Sequence, residues 1–79
     1  MDRIKAQFES YQKEVIPQGA SETQVRETRR AFFAGAQAMM TICQVIATDR
    51  VTTEEGAMIL DQTERELLQF KEDAVEGRA

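Results

Sequence analysis

Residues 31–47, AFFAGAQAMMTICQVIA, lie in the longest stretch of the 79-residue chain without a charged side chain. Its large apolar residues recur at helical spacing, so the stretch predicts the middle of a long helix. The apolar positions extend past one face, which is typical of a helix buried on more than one side. Seventeen residues that include three polar ones reach only the lower limit for a membrane span, so we expect no membrane partner.

The long helix is predicted over about residues 22–48. Ser21 and Gln24 stand three apart, the spacing of a capping box, and this pair marks the start of the helix. Seven residues share its main apolar stripe: Val25, Thr28, Phe32, Gly35, Met39, Ile42 and Ile46. Two shorter helices can hardly cover so broad an apolar surface, so we expect a second copy of the chain to cover the remainder.

A first helix is predicted over about residues 3–15. Four apolar or aromatic residues recur there at steps of four, three and four: Ile4, Phe8, Tyr11 and Val15. Asp2 is a suitable N-cap. Pro17 ends the helix because it lacks an N–H and keeps the residue before it out of the helical region.

A third helix is predicted over about residues 53–75. Thr52 and Glu55 form a second capping box at its start, and Gly77 is a suitable C-terminal stop. Its apolar stripe alternates steps of four and three, as in a coiled-coil seam. The stripe consists of Gly56, Leu60, Thr63, Leu67, Phe70 and Ala74.

These elements predict an all-α fold in a single helical domain, residues 1–79. A short N-terminal helix precedes a long antiparallel helical hairpin, because a short connection makes the second and third helices neighbours. The excess apolar surface predicts a homo-oligomer, since so small a domain has a marginal core of its own. We expect the subunit contact at Phe32, Phe33, Gly35, Met39 and Met40.

Composition restricts the chemistry. The chain has no His, one Cys and a net charge of −4, from 10 Lys and Arg against 14 Asp and Glu. One Cys allows no internal disulfide and, without His, no structural zinc set. We expect no metal, no cofactor and no enzymatic activity, because the usual constellations of acid–base and nucleophilic residues are absent. The acidic balance disfavours duplex nucleic acid. We expect the lone thiol, Cys43, to lie in the core. We also expect the protein to be located in the cytoplasm of a host cell.

A basic cluster lies early in the long helix. Arg26, Arg29 and Arg30 share one side, at positions i, i+3 and i+4. Guanidinium groups bind phosphate or carboxylate oxygens in pairs, so the cluster is a candidate anion clamp. The alternative is surface ion pairing, since Glu22 precedes Arg26 by four residues and Glu27 precedes Arg30 by three.

Aromatic residues on the first helix could complete such a site. Tyr11, with Phe8, could stack on a nucleotide base. The alternative is that Tyr11 anchors its helix by burying the ring and leaving the hydroxyl in water. Stacking face and phosphate clamp would meet if the first helix folds back over the arginines.

The stretch Val25–Met40, VRETRRAFFAGAQAMM, follows a short aromatic helix and the Ile16–Pro17 break, and it resembles small bacteriophage proteins. The whole layout resembles the phage anti-CBASS and Thoeris anti-defence hairpin proteins. That resemblance implies a helical oligomer that sequesters cyclic nucleotide immune signals without cleaving them. It also implies that Tyr11 stacks on a base and that Arg26 meets phosphate.

Two hypotheses about function follow. In the first, a phage anti-defence protein binds a small phosphorylated or cyclic nucleotide at subunit interfaces through Phe8, Tyr11, Arg26, Arg29 and Arg30. In the second, the chain is a protein–protein interaction module, a phage inhibitor that docks on a host protein. The second rests on the apolar long helix and on residues 51–79, where eight acidic residues outnumber three basic ones.

Overall fold

The computed structural model describes all of residues 1–79 and contains three helices and no strand. Helix α1 spans Arg3–Val15, α2 spans Glu22–Ile46 and α3 spans Thr53–Val75. The all-α class is therefore confirmed. None of the three helices combines the length and the hydropathy that crossing a bilayer requires.

Helix α2 ends two residues before its predicted end at residue 48. The N–H and the hydroxyl of Thr48 both donate to the carbonyl of Val45, at 3.2 and 2.8 Å. These i-to-i+3 bonds tighten the chain into a turn and replace the next α-helical bond.

Helix α1 begins without the predicted side-chain cap. Asp2 occupies the N-cap position, but its carboxylate accepts no capping hydrogen bond. Only its backbone carbonyl takes part, accepting from Ala6 N–H at 2.9 Å. At the other end Ile16 is extended, with φ −85° and ψ 125°, which is the conformation that Pro17 imposes on the residue before it.

Both ends of α3 form as the sequence predicts. Glu55 N–H donates to Thr52 Oγ1 at 3.1 Å, and Thr52 N–H donates back to Glu55 Oε1 at 3.2 Å, completing the predicted capping box. The backbone N–H of Thr52, and after it the Thr52 hydroxyl, hydrogen-bond to the Glu55 carboxylate and hold its pKa below the ordinary value. At the C-terminus Gly77 has φ +77°, and Arg78 N–H donates to Asp73 O at 2.7 Å, closing a Schellman motif.

The chain divides into two compact units, Met1–Ile42 (unit 1) and Cys43–Ala79 (unit 2). The prediction of one domain over residues 1–79 stays a prediction.

In unit 1, α1 lies antiparallel along the first part of α2. The Phe8 ring packs edge-on against the Phe32 ring, with centroids 5.4 Å apart, and Tyr11 contacts the same ring at 5.4 Å. Phe8 is 3% exposed and is the chain's one buried hydrophobic side chain. Aromatic contacts between two helices therefore form the centre of unit 1.

In unit 2, the end of α2 and the start of α3 approach each other closely at a glycine. Gly56 is buried in the first turn of α3, and a Cβ built on it would lie 2.9 Å from Ile46 Cγ2 and 3.9 Å from Val51 Cγ1. A glycine is therefore required for the end of α2 and the start of α3 to lie this close.

The structure does not show a clear antiparallel hairpin of α2 and α3. The face of α2 around Phe32 is occupied by α1. Along α3 the predicted stripe is open, because Leu60, Leu67 and Phe70 are exposed. The hairpin that the contacts define is the one between α1 and α2 in unit 1.

The uncharged stretch 31–47 is only partly covered by this copy of the chain. Phe33, Met40 and Val45 are exposed. Cys43 is also exposed, so the prediction of a core thiol is wrong. Cys43 is exposed because only one face of α2 is covered by other residues of the chain, and the other faces remain open. Oligomerisation stays a prediction.

Candidate functional site

The turn between α1 and α2 is held by local hydrogen bonds. Ala20 N–H donates to the carbonyl of Pro17 at 3.0 Å, and Gln24 N–H donates to Ser21 Oγ at 3.1 Å. The second bond is one of the two that the predicted capping box comprises. The turn brings the last residues of α1 beside the first turns of α2.

Two adjoining recesses lie at this turn. The first, of about 390 Å³, is lined by Ala20, Glu22, Val25, Arg26 and Arg29. The second, of about 310 Å³, shares Ala20 and Val25 with the first. Its other lining residues come from α1 and the turn: Glu9, Gln12, Lys13, Ile16, Pro17 and Gln18.

The arginines of the first recess have no carboxylate partner. No ion pair involves Arg26, Arg29 or Arg30; the pairs in the chain are Asp61–Arg65 at 3.1 Å and those of Arg78 with Asp73 and Glu76. The alternative pairing with Glu22 and Glu27 does not form. Arg26 and Arg29 therefore offer free guanidinium groups at the rim of a recess.

The structure brings together only part of the predicted site. Arg26 and Arg29 share the recess, whereas Arg30 lies outside its lining. Lys13, which sequence reasoning missed, lines the neighbouring recess and makes no ion pair. The signal for Lys13 was its place in the last turn of α1, just before the Pro17 break.

The aromatic residues of the predicted site pack against one another and against Phe32. Phe8 is buried and packs against Phe32 and Tyr11, so it has no face free for a nucleotide base in this copy of the chain, and its assignment as a ligand-binding residue stays a prediction. Tyr11 is 37% exposed, and its ring lies against Phe32. This contact favours the anchoring alternative for Tyr11. Neither ring lines the arginine recess.

The residues predicted to form the subunit contact are partly packed within this copy of the chain and partly exposed. Phe32 and Met39 are half-buried, and Phe32 is engaged by the rings of α1. Gly35 is exposed, with no atom within 4 Å of a built Cβ. Phe33 and Met40 are exposed by 40% and 53% and line a small recess of about 150 Å³ that α1 also borders.

The side chains at this recess include two cationic groups and no metal-binding cluster. No group of three or more His, Cys, Asp or Glu side chains is placed to hold a metal ion. Two guanidinium groups with free donors can bind the oxygens of a phosphate or carboxylate bidentately.

Comparison with models of protein families, with curated proteins and with solved structures found no match for this chain.

Proposed function

We propose that the protein is a non-enzymatic phage anti-defence protein that binds and sequesters a small phosphorylated or cyclic nucleotide. Arg26 and Arg29 hold the phosphate in the recess at the α1–α2 turn. The class of ligand, a nucleotide immune signal, comes from the resemblance to the anti-CBASS and Thoeris anti-defence proteins.

The observation that carries the proposal is the pair of unpartnered arginines in an acidic protein. Arg26 and Arg29 line one recess and neither is in an ion pair, although the chain has more acidic than basic residues. Holding unpaired guanidinium groups beside each other costs electrostatic free energy, which an anion would offset. Glu22 at the same recess favours an anion small enough to avoid the carboxylate.

The adjoining recess gives room for the rest of a nucleotide. It begins at Ala20 and Val25 and offers polar side chains on α1 and the turn, among them Gln12 and Gln18. A base whose phosphate lies on the arginines would extend over Ala20 toward these amides. The exposed part of Tyr11 is the other candidate surface for the base.

The test is isothermal titration calorimetry of the full chain with cyclic dinucleotides, cyclic trinucleotides, mononucleotides and pyrophosphate. We expect Arg26→Ala and Arg29→Ala each to weaken binding by about ten- to a hundredfold, the range for a lost charged hydrogen bond. Arg65→Ala is the matched control, because it removes the same charge from α3.

Two further variants test whether Tyr11 and Lys13 contribute to binding. Tyr11→Leu keeps an apolar contact with Phe32 and removes the aromatic face, so a loss of affinity would assign the base to Tyr11. Lys13→Ala tests the neighbouring recess in the same way. Absence of heat with every ligand, or equal affinity for wild type and the two arginine variants, would contradict the proposal.

A second candidate function, docking on a host protein, is favoured by a different observation. Large apolar side chains are exposed on all three helices, among them Ile4, Met40, Leu67 and Phe70. Affinity capture from host lysate tests it. One stoichiometric partner, lost with Met40→Asp or Leu67→Asp and kept with Arg26→Ala, would support docking over nucleotide binding.

A further inference from the structure

The C-terminal half of α3 carries an apolar seam that this copy of the chain leaves open. Leu67 and Phe70 are 62% and 63% exposed, and Leu60 and Ala74 are exposed as well. With the half-buried Thr63, they keep the four–three spacing of a coiled coil, in which Leu60, Leu67 and Ala74 occupy a positions and Thr63 and Phe70 occupy d positions. Leu68 and Val75 widen the seam on one side and are also exposed.

We propose that a second copy of this chain covers the seam, with the two α3 helices forming a parallel, in-register coiled coil over about residues 60–75. The spacing favours this occupant, because the same stripe on a second helix can meet it along its whole length when two helices pack as a coiled coil. The contact is about 24 Å long at 1.5 Å per residue. This inference does not depend on the arginine recess.

The one polar side chain on the seam is already satisfied. Thr63 Oγ1 donates to the carbonyl of Ile59, four residues earlier, at 2.8 Å. Covering Thr63 therefore leaves no unpaired hydroxyl and presents its methyl group to the second helix.

Charge favours the parallel orientation. Glu66 and Lys71 flank the seam on opposite sides, at g and e positions five residues apart, and neither makes an ion pair within the chain. In a parallel, in-register pair, Glu66 of each copy faces Lys71 of the other, and two-fold symmetry forms this pair twice. An antiparallel pair would instead place Glu66 near Asp73 of the second copy and Lys71 near its Glu64, so repulsion and attraction would offset each other.

The first experiment measures the mass of the full chain in solution by sedimentation velocity at micromolar concentrations. We expect Leu67→Asp to halve the mass of the wild-type assembly while far-ultraviolet circular dichroism keeps its helical shape, because Leu67 is exposed in this copy. Gln62→Asp is the control, since it adds the same charge on the outer face of the same helix.

The second experiment tests orientation and register by exchanging charges. Lys71→Glu and Glu66→Lys should each weaken association by about tenfold, because two attractive pairs become repulsive. The double variant should restore wild-type association. In a Cys43→Ser background, Phe70→Cys should form a disulfide-linked dimer on oxidation, and the outer-face control Glu72→Cys should not.

Several results would overturn the proposal. One is a wild-type monomer at these concentrations. Another is an assembly whose mass Leu67→Asp leaves unchanged, which would place the contact on another face, such as that of Phe33 and Met40. A double variant that stays as weak as the single ones, or no disulfide at Phe70→Cys, would exclude the parallel register.

Discussion

The two units of this chain bury their apolar residues in different ways. In unit 1, rings from two helices meet, and Phe8 is enclosed by Phe32 and Tyr11. In unit 2, the buried residue is Gly56, under Ile46, and the large side chains farther along α3 are exposed. Packed aromatic rings therefore stabilise unit 1, whereas unit 2 places the Ile46 side chain directly on Gly56 and has a well-capped α3.

The largest effect is expected from removing the buried ring of unit 1. Phe8→Ala should destabilise the fold by about 3 kcal/mol or more, because it deletes a buried aromatic side chain and leaves a cavity. Urea denaturation followed by tyrosine fluorescence measures the loss. Val15→Ala on the same helix is the control, since Val15 is exposed and should change stability little. Equal effects of the two variants would show that Phe8 is not the centre of unit 1.

In unit 2, the comparable test is to add one carbon atom. Gly56→Ala places a Cβ 2.9 Å from the stiff β-branched side chain of Ile46 and should destabilise the fold by about 1–3 kcal/mol, the range for overpacking. Gly35→Ala is the matched control in α2. It has open space around its Cβ and should stabilise by about 0.5–1 kcal/mol, as alanine does over glycine in a helix. Shifts of the urea midpoint in the same direction for both variants would contradict this account of the Gly56 contact.

The smallest expected effect is a pH dependence that lies in unit 2. The pKa of Glu55 is lowered in the folded chain from its ordinary value of 4.5. The ionised carboxylate therefore stabilises the fold at pH values above 4.5, and this stabilisation is lost as the pH falls through the lower pKa of the folded state. Urea midpoints should therefore decrease between about pH 6 and about pH 3.

The control for this titration is Glu55→Gln, which keeps an oxygen for the Thr52 N–H and does not ionise. Its midpoint should fall less over the same pH range. An identical decrease in wild type and variant would assign the acid sensitivity to other carboxylates.

Local signals were sufficient to predict the helices. Pro17, the Thr52–Glu55 box and Gly77 each act within a few residues, so the bounds of α1 and α3 could be inferred from spacing alone. Asp2 was the exception, because a capping residue type does not ensure that its side chain turns toward the helix.

The pairing of helices could not be predicted in the same way. The stripe of α2 around Phe32 fits either α1 or α3, and periodicity does not indicate which helix covers it. The site shows the same limit. The i, i+3 spacing placed Arg26 and Arg29 together, but Lys13 joined the neighbouring recess through a turn whose path only the structure gives.

The contact between Tyr11 and Phe32 also provides a spectroscopic probe. Tyr11 is the chain's one tyrosine and there is no tryptophan, so near-ultraviolet emission originates almost wholly from the packed rings of residues 1–42. Circular dichroism, in contrast, reports on all three helices. Recording both signals during one melt would show whether the N-terminal rings separate before, with or after the loss of helix elsewhere.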